Sequence, residues 1–300
     1  MKRRWLMVLG LIGLIMLPAV NGFAAHGEKR SEKKAILLAA FGTTVPEAQK
    51  ALDQVELRVR EAFPGVEIRW GYTSSIVRNK LAKQGKVLDS PETALAKLMD
   101  DGFTHVAVLS LHTIPGEEFH DLSRNAHFFG QMAGGFEKIL VAWPLLSSHD
   151  DMARVAKAMI RHIPAGRKPQ DAVLLMGHGS AKHPSDAIYL AMNQMFQDLD
   201  RNVYVATVEG YPTLNDILPK LEEKKIKKVY LMPFMAVAGD HARNDMAGDE
   251  PDSWKSVLGK KGYTCEAVLK GTAEYPEIVD VWLDHLRAVL AHFGDGDPKP

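Results

Sequence analysis

The chain states one pattern twice. "KAILLAAFGT" (34–43) returns as "DAVLLMGHGS" (171–180), "RWGYTS" (69–74) as "VEGYPT" (208–213), and "HVAVLSLHTIPGEEFHDL" (105–122) as "KVYLMPFMAVAGDHARND" (228–245). The matches keep their order, at offsets of 137, 139 and 123 residues. A sequence that restarts in this way builds the same supersecondary unit twice. Within each copy, apolar runs of strand length alternate with stretches of helical period. "KAILLAAFG" is continuously apolar and ends in glycine, as a strand buried on both faces does. "PEAQKALDQVELRVREAF" (46–63) opens with proline at a helix start and spaces its apolar residues helically. "SPETALAKLMDDGF" reads as a helix capped by the serine before its proline. Strands separated by helices of this length imply parallel sheets with right-handed crossovers. The expected fold class is α/β: two similar lobes, each a parallel sheet flanked by helices.

The repeat also sets the boundaries. The segment before it has a basic start "MKRR", an apolar run "WLMVLGLIGLIMLPAV" and small residues in "NGFA", the layout of a secretory signal. Residues 1–24 are expected to be a cleaved signal peptide, which places the mature chain in the periplasm. Sixteen apolar residues interrupted by Pro18 are short for a membrane span, so no stable span is expected after cleavage. Residues 25–33 read as a mobile N-terminal segment, 34–143 as the N-terminal lobe, 144–293 as the C-terminal lobe and 294–300 as a tail. The last helix, "YPEIVDVWLDHLRAVLAHF" (275–293), is amphipathic enough to pack across the lobes. Lysine plus arginine balance aspartate plus glutamate at 37 each, so no net field draws the chain to nucleic acid. Cys265 is the one cysteine, which rules out an internal disulfide and a cysteine metal cage.

Because the pattern occurs twice, each copy is a control for the other. On these matches, Phe41 corresponds to His178, Trp70 to Glu209, and Glu118 to His241. The second copy thus puts His, Glu and His at the carboxyl ends of three strands, where open α/β sheets bind ligands. Glycines 177 and 179 flank His178, clearing space for something bulky to approach it. Two imidazoles and a carboxylate suit a first-row divalent ion such as Co²⁺, Fe²⁺, Ni²⁺ or Zn²⁺. Three protein ligands leave open positions for chemistry or transfer, and histidine also exchanges protons near neutrality. The plainer alternative is that strand-end histidines hydrogen-bond to nearby backbone.

Other residues point less clearly. His112 and His120 fall opposite Met235 and Arg243, so neither matches a second-copy ligand. His112 reads as buried or cleft-lining. His120 lies in the first turn of a helix, where a histidine gains nothing from the dipole. His149, His162, His183, His285 and His292 read as solvated helix or loop residues. "GHGS" lacks the spacing of a serine nucleophile elbow. No G-x-G-x-x-G and no phosphate-binding Gly-Lys-Ser/Thr loop occurs, so a nucleotide cofactor is unsupported.

Together, "LLAAFGTT", "SLHTIPGEEFHDL", "LLMGHGS", "VEGYPT" and "PFMAVAGDHARNDMAGDE" followed by Trp254 resemble the anaerobic sirohydrochlorin cobaltochelatases of the CbiK type, over about residues 34–293. These are class II chelatases, and the resemblance implies two similar α/β lobes with a cleft between them. It implies insertion of Co²⁺, or Fe²⁺, into sirohydrochlorin, with His178, Glu209 and His241 as catalytic and metal-binding residues. Such a reaction removes two pyrrole protons as it delivers a cation, which imidazoles and a carboxylate can serve. Eight substrate carboxylates would meet cationic groups such as Arg78, Lys80, Arg124 or Arg243. The expected partners are sirohydrochlorin and the metal ion; a homo-oligomer is compatible with the sequence. The family's biosynthetic role is cytoplasmic, whereas this chain carries an export signal. That contrast keeps a second reading open: a non-catalytic periplasmic carrier of metal or tetrapyrrole. On such a protein, His120 is a candidate axial ligand to haem, at a subunit contact away from the catalytic cleft.

Overall fold

A computed structural model of the chain describes residues 30–294; the signal-peptide expectation, most of the 25–33 segment and nearly all of the tail lie outside the described residues. The elements follow in the order β1 (Lys34–Ala40), α1 (Pro46–Ala62), β2 (Glu67–Tyr72), α2 (Ser75–Ala82), α3 (Pro91–Asp100), β3 (His105–Ser110), α4 (Glu117–Gln131), β4 (Lys138–Ala142) and α5 (His149–Arg161). The second half continues with β5 (Ala172–Gly177), α6 (Ala187–Leu199), β6 (Val203–Thr207), α7 (Leu214–Glu223), β7 (Lys228–Pro233), α8 (Trp254–Lys260), β8 (Thr264–Ala267) and α9 (Pro276–Ala291). Two four-stranded sheets result, in the orders β2-β1-β3-β4 and β6-β5-β7-β8. All six strand pairings are parallel. The two sheets share one topology, as the repeat predicts.

Strand pleating explains how they join. Ile36, Leu38 and Ala40 point into the same core as Val173 and Leu175, while Ala35, Leu37 and Ala39 point the other way into a core of their own. On the second sheet, Ala172, Leu174 and Met176 fill the corresponding outer core. The continuous apolar runs reflect this: each central strand is covered on both faces. The inner core is shared, and fully buried Trp282 of α9 belongs to it. α9 comes back to the first sheet, packing on β3 and β4 and against α5. Arg58–Asp280 and Arg154–Asp284 ion pairs tie its outer face to α1 and α5.

Local signals explain the helix starts. Ser90 caps α3 by accepting from Thr93 N at 3.2 Å, and Thr213 and Asp216 form a reciprocal capping box on α7. α2 is absent from the sequence reading. Its eight residues have a short apolar stripe, but Ser74 caps it by accepting from Val77 N at 3.3 Å. The described residues contain no helix long and apolar enough to cross a membrane.

Candidate metal centre

In the strand order β6-β5-β7-β8, the winding changes side at β5, with β6 on one flank and β7 on the other, so the loops leaving the carboxyl ends of β5 and β7 part there. His178 is the first residue beyond β5. Gly179 follows at φ +79, and a Cβ there would lie 2.6 Å from the Thr207 side chain and 2.7 Å from Gly210 N, so only glycine fits. β6 ends at Thr207, whose N–H and hydroxyl both donate to Pro212 O, at 2.7 and 3.0 Å, closing the turn that carries Glu209. Glu209 N donates to His178 O at 2.9 Å, so the two residues are neighbours on one backbone frame. His241 arrives after β7 and leads into a π-helical turn, Ala242–Met246, the kind of irregularity often found at functional sites.

One ligand atom from each of His178, Glu209 and His241 lies within 4.8 Å of the others. Donors around a four-coordinate ion with bonds of roughly 2.1 Å sit about 3.4 Å apart, so small side-chain rotations close the site. The imidazoles stand nearly perpendicular, 84° apart with centroids 4.9 Å from each other. His178 Nδ1 donates to Gly179 O at 2.9 Å, and His241 Nδ1 donates to Asp245 Oδ2 at 2.5 Å. Each bond fixes the tautomer that leaves Nε2 with a lone pair for a cation. The carboxylate behind His241 also makes that ring a better donor.

The centre opens on a cleft of about 480 Å³ lined by both halves. Beside the cleft the halves meet where Gly116 faces Ser185 and Gly239 faces Thr43. Phe41, 42% exposed, lies 6.3 Å from the His178 ring, and exposed Ile76 extends this apolar wall. Across from the histidines sits Glu118. Its carboxylate accepts from His112 Nε2 at 3.1 Å and Thr73 Oγ1 at 3.0 Å, while Ser110 Oγ donates to His112 Nδ1 at 2.8 Å. Burial works to raise the Glu118 pKa. The hydrogen bonds from His112 and Thr73, with the imidazoles of His112 and His178 nearby, outweigh it and hold the carboxyl below its usual range.

His178, Glu209 and His241 therefore come together, although one sequence correspondence shifts. Ala40 pairs with Tyr72 and Gly177 with Thr207, and Ser74 N donates to Phe41 O just as Glu209 N donates to His178 O. The counterpart of Glu209 is Ser74, not Trp70. Trp70 lies mid-strand opposite Leu38, its indole N–H donating to Glu56 at 2.6 Å. The glycine and tyrosine shared by "RWGYTS" and "VEGYPT" draw the alignment four residues out of register. His112 lines the cleft as expected. His120 stays outside it, exposed on α4, with Nδ1 donating to Gly116 O at 2.8 Å and its ring 5.3 Å from that of His183.

Two histidines read as solvated are not. His285 contacts Trp143 O at 3.0 Å and Asp151 at 3.1 Å, and His162 stacks on Tyr275 at 4.2 Å while bonding Glu277 at 3.0 Å. Of the four basic candidates, Lys80 lines the cleft. Arg78 donates to the Tyr72 and Thr73 carbonyls, Arg124 pairs with Asp121, and Arg243 donates to Ala238 O. The Cys265 thiol is pushed up to about 11 by burial and remains protonated at neutral pH. Asp245 escaped the sequence reading, though its position four residues after His241 on a helical turn was the available signal.

Fold and site together define a two-halved α/β protein of chelatase architecture with an open His-Glu-His centre at a sheet switch point. The family comparison agrees: the model of the cobalt chelatase (CbiK) family matches residues 34–291. The chain belongs to that family. It is 46% identical over 263 residues to the sirohydrochlorin cobaltochelatase CbiKC of Nitratidesulfovibrio vulgaris, covering 88% of this chain and 93% of that one. It is 33% identical to the sirohydrochlorin cobaltochelatase of Salmonella typhimurium, over 86% of this chain and 97% of the other. Among solved structures, the sirohydrochlorin chelatase SirB from Bacillus subtilis subspecies spizizenii, in complex with cobalt, shares the fold at a TM-score of 0.57. That match has 15% identity and covers 87% of this chain and 96% of SirB.

Proposed function

We propose that the chain inserts Co²⁺ into sirohydrochlorin, with His178, Glu209 and His241 holding the incoming ion. The observation that carries the reading is the convergence of three ligand atoms, two with tautomers fixed for coordination, on an open cleft. Insertion exchanges one divalent cation for two pyrrole protons, so charge balances only if the site accepts protons as it gives up metal. His178 and His241 become bases once the ion leaves them. Glu118, held ionised across the cleft and bonded to His112, is a further acceptor on the opposite wall. Phe41 and Ile76 offer the flat macrocycle an apolar wall, and Lys80 offers its carboxylates a cation. Fe²⁺ is the other metal that this donor set suits. Mixing protein, sirohydrochlorin and Co²⁺ should convert the tetrapyrrole's visible spectrum to that of the metallated form within many turnovers. Binding of metal or tetrapyrrole without turnover would instead support a carrier.

Export belongs to the same proposal: the basic and apolar start of the chain supports a periplasmic enzyme. A haem on His120 is a separate reading, favoured by one local arrangement. The Nδ1–Gly116 bond leaves His120 Nε2 as a free, exposed donor, beside Phe119 stacked 5.5 Å from Trp143, itself 59% exposed. Protein from haem-replete cells should then show a Soret band that His120→Ala removes without slowing cobalt insertion. A colourless preparation would end this reading.

A further inference from the structure

The two loops that carry His178 and Glu209 meet on a residue that faces neither the cleft nor solvent. Asp186 closes the short 3₁₀ turn Pro184–Asp186 ahead of α6 and is 9% exposed. Its Oδ2 accepts from Tyr211 N at 2.9 Å and from Ser180 N at 3.2 Å. Each of these amides lies two residues beyond a ligand. One carboxylate oxygen therefore pins the loop after His178 to the loop after Glu209. The other oxygen, Oδ1, is buried with no hydrogen-bond partner, which is costly unless the seat itself is needed.

The seat is built for Oδ2. A Cβ on Gly210 would lie 1.9 Å from Asp186 Oδ2 and 2.6 Å from Ser180 N, so glycine is required for the carboxylate to reach both amides. Below it, the ring of Tyr189 packs where a Gly177 Cβ would stand, 2.6 Å away. With Glu209 N bonded to His178 O, the loops are tied both at the ligands and just beyond them. Without the carboxylate, the outer tie is gone. Ser180 N and Tyr211 N would need water, and Glu209, the exposed ligand, would lose its fixed distance from His178.

We infer that Asp186 is a positioning residue for the metal centre: it sets the separation of the His178 and Glu209 loops, so Co²⁺ affinity depends on it although it touches no substrate. The inference rests on the reading of His178, Glu209 and His241 as the metal site. The test is a Co²⁺ titration of the tetrapyrrole-free protein alongside steady-state insertion. Asp186→Ala should weaken Co²⁺ binding and raise the KM for Co²⁺ by roughly ten- to a hundredfold, as lost supports of a ligand do. Its KM for sirohydrochlorin should stay at the wild-type value. Asp186→Asn keeps a carbonyl oxygen for the two amides and should restore most of the affinity. Val55→Ala, in the inner core away from the site, serves as a control of comparable destabilisation that should leave Co²⁺ affinity unchanged.

Wild-type affinity in Asp186→Ala would overturn the inference, as would an equal loss in Val55→Ala. If Asp186→Ala does not fold, Gly210→Ala carries the test, since its methyl displaces the same oxygen. Unchanged Co²⁺ affinity there would be equally fatal. His178→Ala separates the two claims. If it binds Co²⁺ like wild type, the site reading fails, whereas its loss with an unaffected Asp186→Ala sinks the positioning role alone.

Discussion

The two halves share strand order, pairing and an alternating pleat, yet only one carries the His-Glu-His set. At the positions that the backbone makes equivalent, the first half has Phe41, Ser74 and Glu118 and the second has His178, Glu209 and His241. The deeper difference lies beneath them. In the first half, a Cβ on Gly42 would meet the Tyr72 ring at 2.3 Å; in the second, the same space beside Gly179 is taken by Thr207 and the backbone of Gly210. The small threonine lets the chain after β6 fold back against the His178 loop. The tyrosine fills that volume in the first half, where Ser74 starts α2 instead. A metal site therefore needed more than three substitutions: the turn carrying Glu209 had to be given room. The spared wall did not go idle, since it holds Glu118 and His112 facing the metal side.

The comparison predicts where damage is greatest. His178→Ala and His241→Ala should each reduce Co²⁺ insertion by roughly a hundredfold or more, the loss expected when a group that both binds and accepts protons is removed. Both should keep the wild-type circular dichroism spectrum. Phe41→Ala, at the equivalent first-half position, should fold and keep metal affinity while weakening tetrapyrrole binding. Wild-type turnover in both histidine variants would remove the asymmetry between the halves as an account of the chemistry.

Thr207→Tyr transplants the first half's solution into the second. The ring has no room beside Gly179 and Gly210, so it should cost about 1–3 kcal/mol of stability by overpacking. More tellingly, it should displace the Glu209 turn and abolish tight Co²⁺ binding even under conditions where the variant remains folded. Differential scanning calorimetry and a cobalt titration measure the two effects separately. A variant that loses stability but keeps its cobalt affinity would show that the turn does not depend on the small residue.

How much of this was legible in the sequence depends on what each signal measures. Hydrophobic runs report burial on both faces, and they located β1, β3, β5 and β7 and hence the histidine that follows β5. His241 was legible because "GDH" and "GEE" occupy matching places after matching strands. The partner of Glu209 was misread because residue identity and backbone position diverge there: Gly71 lies inside β2, whereas Gly210 lies beyond β6. Register is fixed by hydrogen bonds between strands, which no local similarity reveals. His285 was misread for a related reason. A histidine on an amphipathic helix looks solvated until the helix is seen to return to the first half and meet Asp151. Asp186 gave no signal, because its two partners are backbone amides.

Glu209→Gln gives a smaller effect than loss of a histidine. The amide keeps the size and the backbone bond to His178 O but removes the charge that draws a cation to the exposed end of the site. Co²⁺ affinity or rate should fall by roughly ten- to a hundredfold. Ser74→Ala, its structural counterpart, should cost only the α2 cap, about 1 kcal/mol, and leave cobalt affinity alone. Equal cobalt binding in wild type and Glu209→Gln would make that carboxylate a bystander.

The smallest expected effect tests the opposite wall. Glu118 has its pKa held below the ordinary carboxylate value, near 4.5, by His112 and Thr73 despite burial. A group depressed in the folded state adds stability that is present above its unfolded pKa and is lost as pH falls through the folded one. Wild type should therefore lead Glu118→Gln in melting temperature by a constant margin at pH 6 to 7. The margin should shrink once pH drops below about 4.5 and vanish when Glu118 is protonated in both states. Only a small difference is expected, because the carboxylate is partly open to the cleft and solvent screens it. His112→Ala should abolish much of the same margin, since it removes the main hydrogen bond that keeps Glu118 ionised. A margin that grows on acidification would mean that folding raises the Glu118 pKa instead of lowering it, and the account of a carboxylate held ionised by His112 and Thr73 would fail.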